Sequence, residues 1–117
     1  MPSFKWSRAL TANQLGDQPL TGWQLQRVPE SYIRGAYVKV LQRATTTGVR
    51  ETIFSGTQNI TQRGPVQGGG TAGVTPSELN TAPTDFIAAP GDLIGIFNDE
   101  VSAGTPTVDG IIVIEPI

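Results

Sequence analysis

Acid–base, nucleophilic and metal chemistry in this 117-residue chain would fall to two lysines, six arginines, ten carboxylates and two tyrosines, because it contains no histidine and no cysteine. Without cysteine it forms neither a disulfide nor a thiolate metal site. Without histidine it lacks the usual general base, the usual zinc ligand and the usual pH switch. A serine nucleophile would then need a lysine neighbour, and Lys39 falls in an alternating run that reads as surface or sheet edge. Asp99 and Glu100 are adjacent, so a strand would turn them to opposite faces and a loop would leave them solvated. Neither arrangement gives the facing carboxylates of glycoside chemistry. Asp85, Asp92, Asp99 and Asp109 lack the spacing of an EF-hand calcium loop. The run Gln67-Gly68-Gly69-Gly70-Thr71-Ala72-Gly73 lacks the Gly-Lys-Ser/Thr ending of a phosphate loop and the helix that follows one, so it reads as a flexible loop. The expectation is a non-enzymatic chain with no catalytic residue, no cofactor and no metal.

Function is then expected to lie in surfaces. Lys5, Trp6 and Arg8 form a small basic and aromatic cluster, with Arg27 and Arg34 further on. A formal net charge of -2 and a pI near 4.9 argue against a nucleic-acid partner. Trp and Arg dominate protein–protein hot spots, so Trp6, Arg8, Trp23 and Arg27 are the candidate assembly contacts. Charged residues make up only 15% of the chain, which leaves little repulsion to keep copies apart. That charge is also split along the sequence. Every Lys and Arg lies between Lys5 and Arg63, with only three acids among them, whereas residues 64–117 carry seven acids and no base. Either the two halves pair inside one sandwich, or one copy's basic face meets a neighbour's acidic face.

The elements that would position these residues are strands. Ala36, Val38 and Val40 alternate with Tyr37, Lys39 and Leu41 within a strand read over 32–44. Further strands are expected at 51–55, continuing through 57–61, at 86–88, at 93–97 and at 111–114. The last is a β-branched run suited to burial on both faces. Trp23 and Leu25 alternate with glutamines as a short strand, and a helical turn is expected near 8–15. Residues 63–84 read as one long loop rich in Gly and Pro. No stretch holds a 3.6-residue apolar period over three turns, and Gly and Pro punctuate short runs throughout. This is the pattern of an all-β chain folded as an antiparallel β-sandwich or barrel. Residues 1–29 read as an extended N-terminal arm and residues 30–117 as the sandwich domain. No apolar run is long enough to span a membrane, and no signal peptide is expected.

The stretch Ala88-Ala89-Pro90-Gly91-Asp92-Leu93-Ile94-Gly95-Ile96-Phe97-Asn98 is followed by Val108-Asp109-Gly110-Ile111-Ile112-Val113-Ile114-Glu115-Pro116 and preceded by Tyr32-Ile33-Arg34-Gly35-Ala36-Tyr37-Val38-Lys39-Val40. Together they resemble small single-jelly-roll bacteriophage virion proteins of the minor capsid, decoration or vertex type. The resemblance covers roughly residues 32–116 and rests on pattern. It implies an eight-stranded, two-sheet jelly roll located in the virion, whose partners are copies of itself and other capsid proteins, with no small-molecule substrate. Six or seven strands are visible in the sequence, so the eighth is expected within 63–84. The alternative reading is a carbohydrate- or receptor-binding β-sandwich module, such as a fibre or spike domain.

Overall fold

Alternation along the chain sets the two faces of each strand. In β2, Ala36–Ala44, the residues Ala36, Val38, Val40, Gln42 and Ala44 are buried on one face, while Tyr37, Lys39 and Arg43 lie on the other. The computed structural model describes residues 2–117. Around β2 it places β1 (Ser3–Ala9), β3 (Val49–Ser55), β4 (Gln58–Pro65), β5 (Thr84–Ala88), β6 (Ile94–Glu100) and β7 (Thr107–Pro116). They form a four-stranded sheet in the order β1-β7-β2-β5 and a three-stranded sheet in the order β4-β3-β6, and every ladder is antiparallel. The protein is therefore an all-β, two-sheet sandwich, as its punctuation of short β-branched runs implies.

The core lies between the sheets. Val38, Val40, Phe86, Ile112 and Ile114 of the first sheet face Ile53, Ile94 and Ile96 of the second. A satellite cluster of Leu10, Ala44, Val49, Val66 and Val108 fills one end. Each sheet also contains a glycine roofed by an aromatic ring from the opposing strand position. Trp6 is paired in register with Gly110 and Phe54 with Gly95. A β-carbon on Gly110 would come within 2.2 Å of the Trp6 indole, and one on Gly95 within 2.1 Å of the Phe54 ring. The ring recovers the contact area that each glycine lacks.

Residues 2–29 are packed into the sandwich, in place of the extended arm expected over 1–29. Residues 3–9 are a strand of the four-stranded sheet, paired with β7 over its whole length. Residues 10–28 then run along the open side of the sandwich beside β6, where Asp17 bridges Asn98 and Arg27 bridges Leu93. Leu10, Leu20 and Val28 are buried there. The physical reason is that both β1 and β6 would otherwise leave apolar side chains uncovered at the sandwich edge. The expected strand at Trp23 and Leu25 is a 3-10 turn, Gln24–Gln26, since two alternating apolar residues are too few to specify a ladder. The helical turn expected near 8–15 gives way to the end of β1 and non-helical turns. Elsewhere strands extend beyond their apolar runs: β4 reaches Pro65, β6 reaches Glu100, and β7 begins at Thr107.

The two roofed glycines should respond differently to substitution. Trp6 is 7% exposed and its indole is hydrogen-bonded, so it has nowhere to move. Gly110→Ala is expected to cost about 2–3 kcal/mol of stability in urea unfolding, within the usual range for overpacking. Gly95→Ala should cost less than half of that, because the half-buried Phe54 can swing towards solvent. Equal losses would contradict this account.

Candidate functional site

Each of the four residues singled out for assembly finds a partner within the chain. Trp6 faces the interior and its Nε1 donates to Gln42 Oε1 at 3.2 Å. Arg8 donates to both carboxylate oxygens of Asp17, at 2.8 and 3.3 Å. Trp23 is half-buried and stacks on Phe4 with ring centroids 5.7 Å apart. Arg27 Nη1 donates to the carbonyl of Gly91 at 2.9 Å. Trp6, Arg8 and Trp23 thus hold the 10–28 segment or the core in place, and Arg27 ties that segment to the turn before β6. The structure does not gather the four into one exposed patch.

A polar cluster between the sheets was not visible in the sequence. Gln42 of β2 and Asn98 of β6 exchange hydrogen bonds through their side-chain amides, at 2.9 and 2.8 Å. Gln42 Nε2 also donates to Glu51 Oε2 at 2.7 Å. Asn98 is fully buried, and its backbone pairs with Asp17. Glu51 is only partly buried, but no cation contacts it among the described residues. Desolvation pushes its carboxyl up to about 7, with the Gln42 amide opposing the shift. Glu100 behaves in the opposite way. It is fully buried, yet it accepts from the Ser102 hydroxyl and from the backbone amides of Asn13, Ser102 and Gly104. These donors hold it down at about 2. Its role is to fasten the 101–104 turn and residue 13 to the end of β6.

The exposed side chains form a different surface. Residues 66–83, the greater part of the loop expected over 63–84, are strapped over the outer face of the four-stranded sheet. Arg43 donates to the carbonyls of Gly68, Gly69 and Asn80, and the backbone amide of Gly73 donates to Asp109. Lys39 and Glu78 form an ion pair that ties the strap down further. Between strap and sheet lies an open groove of about 250 Å³, floored by Tyr37, Leu41, Ile111 and Val113. Beside it, Arg43, Thr71, Thr75 and Asn80 line a more polar hollow of about 290 Å³. Leu79 on the strap is 99% exposed, and Ile87 on β5 is 66% exposed. This outer face is the candidate interaction surface. Its apolar members could have been found from the alternation of β2 and β7, whose outward positions hold Tyr37, Leu41, Ile111 and Val113.

The charge split is matched in part within the chain, by ion pairs from Lys39 to Glu78 and from Arg63 to Asp99 and by strand register. Lys39 stands opposite Asp85, Arg43 opposite Asp109, and Arg50 opposite Asp99 in the strand registers. Arg63 reaches Asp99 at 3.5 Å. Basic strands from the first half are thus flanked by acidic strands from the second. No family model, curated protein or solved structure matches this chain.

Two outcomes follow from these contacts. Trp6→Ala should lower stability of the isolated chain by about 3–5 kcal/mol, read by chemical denaturation, as expected for a buried aromatic truncated to alanine. A loss below 1 kcal/mol would show that the ring does not hold the core. For Glu51 the folded chain keeps a proton that the unfolded chain releases, so stability falls as pH rises from about 4.5 to about 7. The contribution lost across that window is on the order of 2–3 kcal/mol. Glu51→Gln, which keeps the amide partner neutral, should flatten the decline in unfolding free energy between about pH 5 and 8. An unchanged slope in that variant would assign the pH dependence to another group.

Proposed function

We propose that this chain is a structural subunit of a bacteriophage virion, of the capsid, decoration or vertex type, and that it acts through contacts between subunits. The observation that carries the reading is the strand pairing. An eight-stranded jelly roll is one long antiparallel hairpin rolled up, in which strands 1 and 8, 2 and 7, 3 and 6, and 4 and 5 pair, and rolling adds the pairs 8 with 3 and 7 with 4. The ladders β1–β7, β2–β5, β3–β4, β7–β2 and β6–β3 occupy five of those six places. The sixth corresponds to residues 10–28 beside β6, reduced to the bridges Asp17–Asn98 and Arg27–Leu93. On this reading the eighth strand belongs to the N-terminal segment and not to residues 63–84.

Fold alone does not assign function. The outer face of the four-stranded sheet supplies the second support, because it leaves Ile87, Leu79 and an apolar groove open to a neighbour. The polar, low-charge composition favours the same use, since such a surface can be covered with little cost of desolvating charges.

The test is particle association. An antibody against the purified chain is used to follow it through a density gradient of a virus-producing culture. The chain is expected to band with nuclease-resistant particles and to stay with them through a second gradient. Recovery only at the top of the gradient, as free protein, would overturn the virion reading.

A further inference from the structure

The two sheets have four edges, and three of them are protected. The β6 edge is covered by residues 14–28, through the Asp17 and Arg27 bridges and through backbone bonds from Glu100 to Gln14 and between Val28 and the 91–92 turn. The β4 edge is broken by two register shifts, a left-handed Arg63 and a terminal Pro65. The β1 edge carries Lys5 and Arg8, and the neighbouring segment is drawn against that strand by the Arg8–Asp17 pair and the Phe4–Trp23 stack. Each is a recognised way of blocking strand addition.

The β5 edge has none of these devices. Thr84–Ala88 pairs with β2 alone, and its free side takes part in no backbone bond with the rest of the described chain. It contains no proline, lysine, arginine or bulge. Its charged residue, Asp85, stands opposite Lys39 in its own ladder and forms no ion pair among the described residues. The two most exposed large apolar side chains of the described residues lie in the segments that lead into the two opposite ends of the β2–β5 ladder. Leu79 precedes β5, and Ile33, 86% exposed, precedes β2. An open edge without proline, basic side chain or bulge is a template for another strand.

We propose that β5 pairs with β5 of a second copy, antiparallel about a two-fold axis centred on Ile87, joining two four-stranded sheets into one of eight. The edge is self-complementary in this register. Ile87 meets Ile87 of the second copy, which removes the exposed β-branched side chain from water on both sides. Phe86 stands opposite Ala88, and Asp85 opposite Ala89, so no like charges face each other directly. The register also carries Asp85 of one copy to the end of the sheet where Gly35 packs against Ala88 and Ala89. Arg34 is next to Gly35, is exposed, and has no carboxylate at ion-pair distance among the described residues. The pairing thus places an acid of one copy beside an unpaired base of the other, twice per dimer.

This inference shares with the virion reading the idea that copies touch, but it is tested separately. Sedimentation equilibrium of the wild-type chain across roughly 1–300 µM should show the average mass rising from one chain towards two, as expected for a modest interface. Ile87→Lys places a charge on the edge and should leave a folded monomer over the same range, with an unchanged circular dichroism spectrum. Arg34→Glu, at an exposed turn, should weaken the dimer by about tenfold, the effect of turning one attraction into a repulsion on each side. Hydrogen exchange at the β5 amides of the wild type needs no variant and should slow as concentration rises. A wild-type chain that stays monomeric would overturn the pairing while leaving particle association open. A dimer unaffected by both substitutions, with β5 exchange independent of concentration, would overturn it by placing the contact elsewhere.

Discussion

Two amides inside an apolar sandwich leave the chain few ways to fold. Gln42 and Asn98 come from different sheets, and burying either without a partner would cost on the order of 1–3 kcal/mol. Their reciprocal bonds satisfy both and fix the separation and register of β2 against β6. A slip of one residue in either strand would turn its amide to the outer face and bring Tyr37 or Lys39 of β2, or Phe97 or Asp99 of β6, inward. The remaining amide capacity explains two neighbours. Gln42 Oε1 also takes the indole proton of Trp6, which anchors β1 over Gly110, and Gln42 Nε2 also reaches Glu51. Four strands, β1, β2, β3 and β6, are therefore tied through one side chain. A polar network of this kind specifies a unique arrangement only when it is fully satisfied, and no buried side-chain nitrogen or oxygen among the described residues lacks a partner.

The same pairing scheme gives the charge distribution its physical sense. Early strands meet late strands in four of the five ladders, β1 with β7, β2 with β5, β2 with β7 and β3 with β6. A sequence that is basic in its first half and acidic in its second then becomes a set of cross-strand pairs of opposite sign. Lys39 with Asp85, Arg43 with Asp109 and Arg50 with Asp99 all arise in this way. Each exposed pair contributes little to stability on its own. Their larger effect is on specificity, because pairing strands drawn from the same half would bring like charges together.

Much of the fold was legible in the sequence because β-branched alternation reports directly on a half-buried strand. The positions of β2, β3, β5, β6 and β7 all follow from it, while the Gly and Pro content marks the loop expected over 63–84, whose first three residues and last residue belong instead to β4 and β5. The N-terminal region was not legible. Trp6, Arg8 and Phe4 alternate on one face of a strand, but the sequence around them offers too few β-branched residues to announce it. The partners that give those residues meaning are also remote: Gln42 for Trp6, and the distant β7 for the strand itself. The 10–28 segment has no periodicity because it makes bridges and turns, not a ladder. Gln42 and Asn98 were invisible for a related reason: a polar residue on a strand reads as outward-facing until its partner is known.

The placement of Trp6, Trp23, Arg8 and Arg27 bears on how such a chain could assemble. Aromatic and arginine side chains normally supply the strongest interface contacts. Here both tryptophans and two of the six arginines support the fold, Arg43 is spent on the strap, and what remains outside is mainly aliphatic: Ile33, Leu79, Ile87 and Val74. Aliphatic patches of this size give individually weak contacts. Weak contacts become effective when each subunit makes several at once, since every further contact in a closed array is intramolecular in effect. A surface poor in hot-spot residues and poor in charge therefore suits a repeating assembly better than a tight one-to-one complex, where a single interface must supply all the affinity.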